Sequence, residues 1–338
     1  MRKLASELST RFRVWRLKGG STPEHEIKAF RDEVAQNSWS LDQTELALFY
    51  RGHCLDVVPD AYAPEIAQRI CSALTAGQPL SVIRIGDGEA NLLRCRHESP
   101  TNHLDRKIAR KSILNQSDRF IADDDWLRKL GSWMENSIRE ADIVGVLGIW
   151  PHTDVAPSVE KLLSRFEKNR RGVAGNWYGR QEMCGLAKDG FLRDKIIGSA
   201  HLYLGAVVHM RKLLEASDRI ICMTDKDVVV AKIANVAGDK EVLHVPVGRQ
   251  TSDMRAPDDP SFLEQTEAML PKDLTGTLVL IGAGLWAEFY AGTVKQRGGV
   301  GVDIGSGFDL LAGQSTRSIH QYIPNDIQNK IANWDTAE

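Results

Sequence analysis

No run in this chain of 338 residues approaches the roughly 20 consecutive apolar residues that a helical membrane span requires. Cysteine is sparse. Cys54, Cys71, Cys95, Cys184 and Cys222 are scattered, odd in number and form no Cys-x-x-Cys pair, so neither a zinc site nor a disulfide framework is indicated. Reduced thiols in the cytosol fit that pattern. Net charge is small: a formal value of -2 argues against a general nucleic-acid binder. The Gly-x-Ser-x-Gly elbow, the P-loop and His-Glu-x-x-His are all missing, which sets aside the usual hydrolase, P-loop and zinc-protease arrangements. There is no low-complexity tract and no internal repeat.

What remains is ordinary in bulk and particular in two places. Apolar content of 42% and charged content of 26% are those of a soluble globular protein, and the length allows one large or two medium domains. The first unusual place is residues 1–20, with Arg2, Lys3, Arg11, Arg13, Arg16 and Lys18 against Glu7 alone. Without an apolar core this is not a secretory signal. Leu4, Leu8, Phe12 and Trp15 recur at helical spacing, so the segment is either a basic face for peripheral contact with an anionic membrane or a helix with solvated charges.

Along the chain, Thr22-Pro23-Glu24 predicts a helix to about Gln36, Ser40 starts a second, and Pro64 opens a third that ends near Gly77. These make residues 21–78 a helical cap. Asp123-Asp124-Asp125 opens a helix to about Glu140, the acids favouring its dipole rather than a metal. Strands are predicted at Leu80 to Ile85, Ile143 to Leu147, Ala200 to Leu204, Arg219 to Met223, Val242 to Val247, Leu278 to Ile281 and Gly301 to Ile304, with helices between them at about Ser158 to Lys168, Val207 to Ala216, Asp227 to Val236, up to Leu270 and Leu285 to Gln296. A loop rich in Asp and Pro spans Thr251 to Pro260. The alternation predicts an α/β fold: a Rossmann-like, mostly parallel sheet with flanking helices over residues 79–320, followed by a tail at 321–338.

The second unusual place is the end of the first strand, Arg84-Ile85-Gly86-Asp87-Gly88-Glu89. Ligands in open α/β sheets sit beyond the carboxyl ends of strands. Two glycines allow close backbone approach, and Asp87 and Glu89 at the tip can both point into one crevice. Such oxygens suit a hard divalent cation that also holds phosphate. Arg84 offers a planar fork to phosphate or to the carboxylates. The structural alternative is a Gly-rich turn with Asp87 as a cap and Arg84 in an ion pair.

Arg-x-Gly-Asp-Gly-Glu after a strand resembles the signature of the GT-D glycosyltransferases. The likeness continues at Ala141 to Gly145, Ser199 to Leu204, Asp218 to Thr224, Glu241 to Pro246, Leu278 to Gly284 and Val302 to Gly305, covering about residues 65–315. It implies a nucleotide-sugar donor, a Mn2+ or Mg2+ ion on Asp87 and Glu89, and a glycan or glycoconjugate acceptor in cell-surface polysaccharide or glycoprotein assembly. The scattered cysteines predict a cytoplasmic protein, and the membrane reading of residues 1–20 would make it peripheral at the inner face.

Other strand ends carry further candidates. Gly282-Ala283-Gly284-Leu285-Trp286-Ala287 matches Gly-x-Gly-x-x-Ala, with Asp303 at the end of the next strand. That pattern suits a NAD or S-adenosylmethionine enzyme, a phosphate-facing turn, or plain close packing. Asp225, after Thr224, can reach an acceptor hydroxyl or the metal, or cap the next helix. Asn176-Trp177-Tyr178-Gly179-Arg180 reads as an irregular stretch whose aromatics stack on a base or sugar and whose Arg180 meets phosphate, or as a loop anchor. His201 lies within the resemblance, as a substrate contact or a structural histidine. A non-catalytic nucleotide- or glycan-binding module is the alternative from outside enzymology.

Overall fold

The computed structural model describes residues 28, 32, 43–96, 106, 108–113, 123–148, 170–247 and 261–336. The basic segment 1–20, the helix predicted over 158–168 and the loop at 251–260 lie outside these, as does most of the helix predicted from Thr22.

Eight strands form one parallel sheet: β1 (Asp56–Val58), β2 (Leu80–Ile85), β3 (Ile143–Val146), β4 (Ile196–Ser199), β5 (Arg219–Thr224), β6 (Glu241–Pro246), β7 (Thr277–Ile281) and β8 (Val300–Asp303). Their spatial order is β1-β4-β3-β2-β8-β7-β5-β6. Every pairing is parallel. The α/β, Rossmann-like expectation is therefore met, and helices cover both faces.

The strands are apolar on both sides, as a doubly covered parallel sheet requires. Ile83, Ile85, Val144, Val146, Ile221, Met223, Val279 and Ile281 enter one core. Their alternates, Val82, Ile143, Ile220, Cys222, Leu278 and Leu280, enter the other. The first core is closed by α3 (Asp87–Arg94), α4 (Asp124–Glu140), α5 (Arg170–Lys188) and α10 (Ala287–Gln296), together with α1 (Gln43–Arg51). The second is closed by α2 (Pro64–Thr75), α6 (Tyr203–Val208), α7 (Met210–Ala216), α8 (Asp227–Ala237), α11 (Gly307–Leu311) and α12 (Asn325–Ala332). Between α8 and α10 lies α9 (Ser261–Ala268). No helix among the described residues is long and apolar enough to cross a membrane.

Four expectations are corrected. Residues 21–78 are not purely helical, because β1 lies within them and pairs with β4 at the sheet edge. Ala200 to Leu204 is not a strand: β4 precedes it, and Ser199 ends the strand by accepting from His201 N through Oγ (3.1 Å) and from Leu202 N through its carbonyl (2.9 Å). Asn176 to Arg180 is helical, inside α5, despite its glycine, because Gly179 packs against Ala90. The tail contains α12, whose Ile331 and the following Trp334 are buried. The triple aspartate behaves as the dipole reading expected: Asp123 caps α4 by accepting from Asp125 N and Trp126 N.

Candidate active site

β2 delivers the signature to the carboxyl edge of the sheet, between β3 and β8. Gly86 is the N-cap of α3 in an extended conformation (φ -80, ψ -170), and Asp87 and Glu89 lie in its first turn, where the helix dipole favours acids. The turn expected after β2 is thus the first turn of a helix, and both acids belong to it. Asp87 is exposed, whereas Glu89 is 8% exposed and Gly88 between them is buried inside the first turn. Gly86 has a steric role: a Cβ there would stand 2.7 Å from Glu89 Oε2. Burial pushes the Glu89 carboxyl up to about 7, its own backbone N–H works against that, and the charge of Asp87 adds to the rise.

Arg84 does not reach outward. Its Nε donates to Asp303 Oδ2 (2.8 Å) and its Nη2 to Asp303 Oδ1 (3.0 Å), a bidentate fork. The guanidinium also lies 4.9 Å from the centre of the Tyr203 ring. Gly305, at φ +42, makes room, since a Cβ there would fall on Arg84 Nη2. Burial alone would weaken the Arg84 charge, but Asp303 outweighs it and the pKa is raised. Asp303 is thus committed: its side chain is 1% exposed and both its oxygens are taken by Arg84.

A third acid completes the cluster. Glu288, in the first turn of α10, is 1% exposed, and neither of its oxygens has a donor. Its carboxyl faces that of Asp303, a contact that becomes a hydrogen bond only when one of the two carries a proton. Burial, then the charges of Glu89 and Asp303, hold its pKa well above the usual carboxylate range. Glu89, Glu288 and Asp303 therefore surround one guanidinium, and the cluster is short of positive charge. Sequence reasoning missed Glu288, Gly305 and Tyr203. Glu288 had a signal: it is the sole acid in Leu285-Trp286-Ala287-Glu288-Phe289-Tyr290.

The remaining candidates separate. His201 follows β4 and its ring stands 6.1 Å, edge-on, from that of Tyr203, which in turn meets His320 Nε2 through its hydroxyl (3.0 Å). That places His201 on the Arg84 side of the sheet edge. Gly282 is a packing glycine, because a Cβ there would stand 2.5 Å from the Phe308 ring, as the close-packing reading of that turn expects. Gly284 begins a short 3-10 turn at φ +58, a conformation that favours glycine. Asp225 is exposed at the end of β5, and β8 and β7 separate that strand from β2. Three strand spacings are roughly 14 Å, so Asp225 does not join the carboxylate cluster. Thr224 Oγ1 accepts from Lys226 N at 3.2 Å, which shapes the start of α8.

Asp87 and Glu89 are oxygen donors of the kind a hard cation takes, and Glu89 is buried beside other acids without a direct ion pair among the described residues. Among those residues no group of three or more His, Cys, Asp or Glu side chains converges as a metal cage. A Mg2+-type ion held by one or two carboxylates with phosphate and water making up the remainder is compatible with that donor set.

Residues 61–174, which contain β2 and α3, match the family model described as a GT-D fold-like domain. This stretch is similar to a GT-D fold-like domain, and the Arg-x-Gly-Asp-Gly-Glu signature falls within it. One similar solved structure, titled as a selenomethionine-substituted domain of unknown function 1792, shares 11% identity over 85% of this chain and 98% of its own, at a TM-score of 0.41. No curated protein matches.

Proposed function

We propose that this chain is a metal-dependent glycosyltransferase that moves a sugar from a nucleotide-sugar to a glycan or glycoconjugate acceptor, in cell-surface polysaccharide or glycoprotein assembly. The observation that carries this reading is the coincidence of the GT-D-like match with a buried, unpaired Glu89 beside an exposed Asp87 at the sheet's carboxyl edge. Asp87 and Glu89 would hold Mn2+ or Mg2+, which when bound neutralises the charge that develops on the departing nucleoside diphosphate.

The chain's own residues do the rest. Gly86 leaves the Glu89 carboxylate free to lie back over the start of α3. Asp303 and Tyr203 lock Arg84, so that its charge offsets the carboxylates at the floor of the site without reorganising. His201, beside Tyr203, would contact the sugar or acceptor, and Asp225 would act only on an acceptor that spans from β2 to β5. Residues 1–20 would supply a peripheral membrane contact from the cytoplasmic side.

The test is Asp87→Asn with Glu89→Gln, assayed for hydrolysis of a nucleotide-sugar panel and for binding of nucleoside diphosphates with and without Mn2+. Turnover should fall by roughly 100-fold or more, as expected when a charge-stabilising contact is lost. Manganese-dependent binding should vanish too. Wild-type turnover in the double variant would remove the motif from the chemistry.

A further inference from the structure

Arg180 is not explained by the carboxylate cluster. It projects from α5, which Gly179 brings down onto α3: a Cβ at Gly179 would stand 2.8 Å from the Cβ of Ala90. Its guanidinium reaches the end of β3, with Nε 3.2 Å from where a Cβ on Gly148 would be. Gly148 has φ +93, so the backbone there takes a glycine conformation and places no side chain between Arg180 and the strand edge. Because Val146 pairs with Ile85, this is the strand end next to the one that carries Asp87 and Glu89. Adjacent strands are about 5 Å apart.

Nothing near Arg180 balances its charge. It makes no hydrogen bond or ion pair among the described residues, and its Nε is buried without an acceptor. The titratable groups close enough to act on it are the Tyr50 hydroxyl and the Cys184 thiol. Burial pushes the thiol up to about 11 and the phenol well above its usual value, so both are neutral near pH 7. Two other enclosed arginines are neutralised, Arg84 by Asp303 and Arg96 by Glu135 and Glu182. An enclosed guanidinium without an anion is costly, and proteins retain one where an anion arrives.

We propose that Arg180 is an anion-binding residue that grips the diphosphate of the donor. This rests on the nucleotide-sugar reading for the identity of the anion, while the site itself rests on Arg180 and its neutral surroundings. The ligand is a diphosphate rather than a carboxylate because Arg180 stands at the strand end next to the one that carries the two acids, so a diphosphate sharing their divalent cation can span both strand ends.

Titration calorimetry with uridine and guanosine diphosphates, and with inorganic pyrophosphate, each with Mn2+, tests this on the full chain as wild type, Arg180→Met and Arg180→Gln. Affinity should fall by roughly 10- to 100-fold in both variants, the scale of a lost charge-assisted contact. Their Tm should equal or exceed that of the wild type, which a purely structural arginine would not allow. Undiminished affinity, or a large fall in Tm in both variants, overturns the proposal. If the wild type binds pyrophosphate through Arg180 but neither nucleotide, the anion site stands and the nucleotide-sugar reading fails. If it binds none of the three probes, both fail.

Discussion

Arg84 and Arg180 stand at neighbouring strand ends and have opposite electrostatic surroundings. Arg84 stacks on Tyr203, a member of the second core, and has its partner built in: Asp303 holds it at 2.8 and 3.0 Å, so its charge is spent inside the protein. Arg180 lies near Tyr50 and Cys184, in the first core, with no anionic partner among the described residues. The difference separates two uses of one residue type. A paired arginine fixes the fold of the edge, whereas an unpaired one keeps its charge for something that arrives from outside. A buried cation with two fixed acceptors is a poor phosphate ligand, because binding would first break a good ion pair.

The strongest way to break this contrast is Arg84→Met. It would leave Asp303, Glu288 and Glu89 buried together without a cation, and removing one partner of a buried pair typically costs about 3–5 kcal/mol. Urea unfolding at pH 7 should show a lower midpoint with an unchanged slope. Arg180→Met, by contrast, should match or slightly exceed the wild type, since it deletes no pair. Equal losses in the two variants would mean that the arginines are not distinguished by their partners.

Much of this fold can be read in the chain, because a parallel sheet covered on both faces writes itself as short continuous apolar runs. β2, β3, β5, β7 and β8 are all such runs. β1 escaped because three residues, Asp56-Val57-Val58, are too few to show a pattern. β4 was displaced by a few residues because Leu202-Tyr203-Leu204 looks more strand-like than Ile196-Ile197-Gly198-Ser199, although tertiary packing makes the former the start of a helix. At the site, the local hexapeptide was legible and the long-range electrostatics were not. Arg84 and Asp303 are 219 positions apart, and Glu288 meets Asp303 only after β7, α10 and β8 are assembled. The unpaired state of Arg180 is an absence of neighbours, which only the folded chain reveals.

Acidity sharpens the comparison next. The Glu89 carboxyl is raised from about 4.5 to about 7, chiefly by burial, so between those values the folded chain holds a proton that the unfolded chain has released. Stability must then fall as pH rises through that window and level off above it. A shift of that size corresponds to on the order of 3 kcal/mol at most, less whatever the neighbouring acids absorb by sharing protons. Glu89→Gln should flatten this part of the curve of Tm against pH. Arg180→Met should leave it unchanged, because Arg180 is not among the groups that shift Glu89. A wild-type Tm that rises from pH 5 to pH 8 would contradict the assignment of Glu89 as a buried acid without a cation of its own.

The smallest expected effect on stability is also the most specific. Gly86→Ala keeps every charge in both arginine environments and changes only where one carboxylate can lie. Extended backbone at φ -80, ψ -170 accepts alanine without strain, so the cost comes from the new Cβ, 2.7 Å from Glu89 Oε2. A carboxylate at the end of a flexible side chain can swing aside for about 1 kcal/mol or less, the scale of an imperfect rotamer. Tm should therefore barely move. Manganese-dependent binding of a nucleoside diphosphate should nonetheless weaken by roughly 10-fold, since hard-cation sites depend closely on oxygen placement. Metal-free binding of the same nucleotide, which would depend on Arg180, should be unaffected. If both kinds of binding weaken together, the carboxylates and the unpaired guanidinium act as one unit, and the division between a self-neutralised and an open half of the sheet edge does not hold.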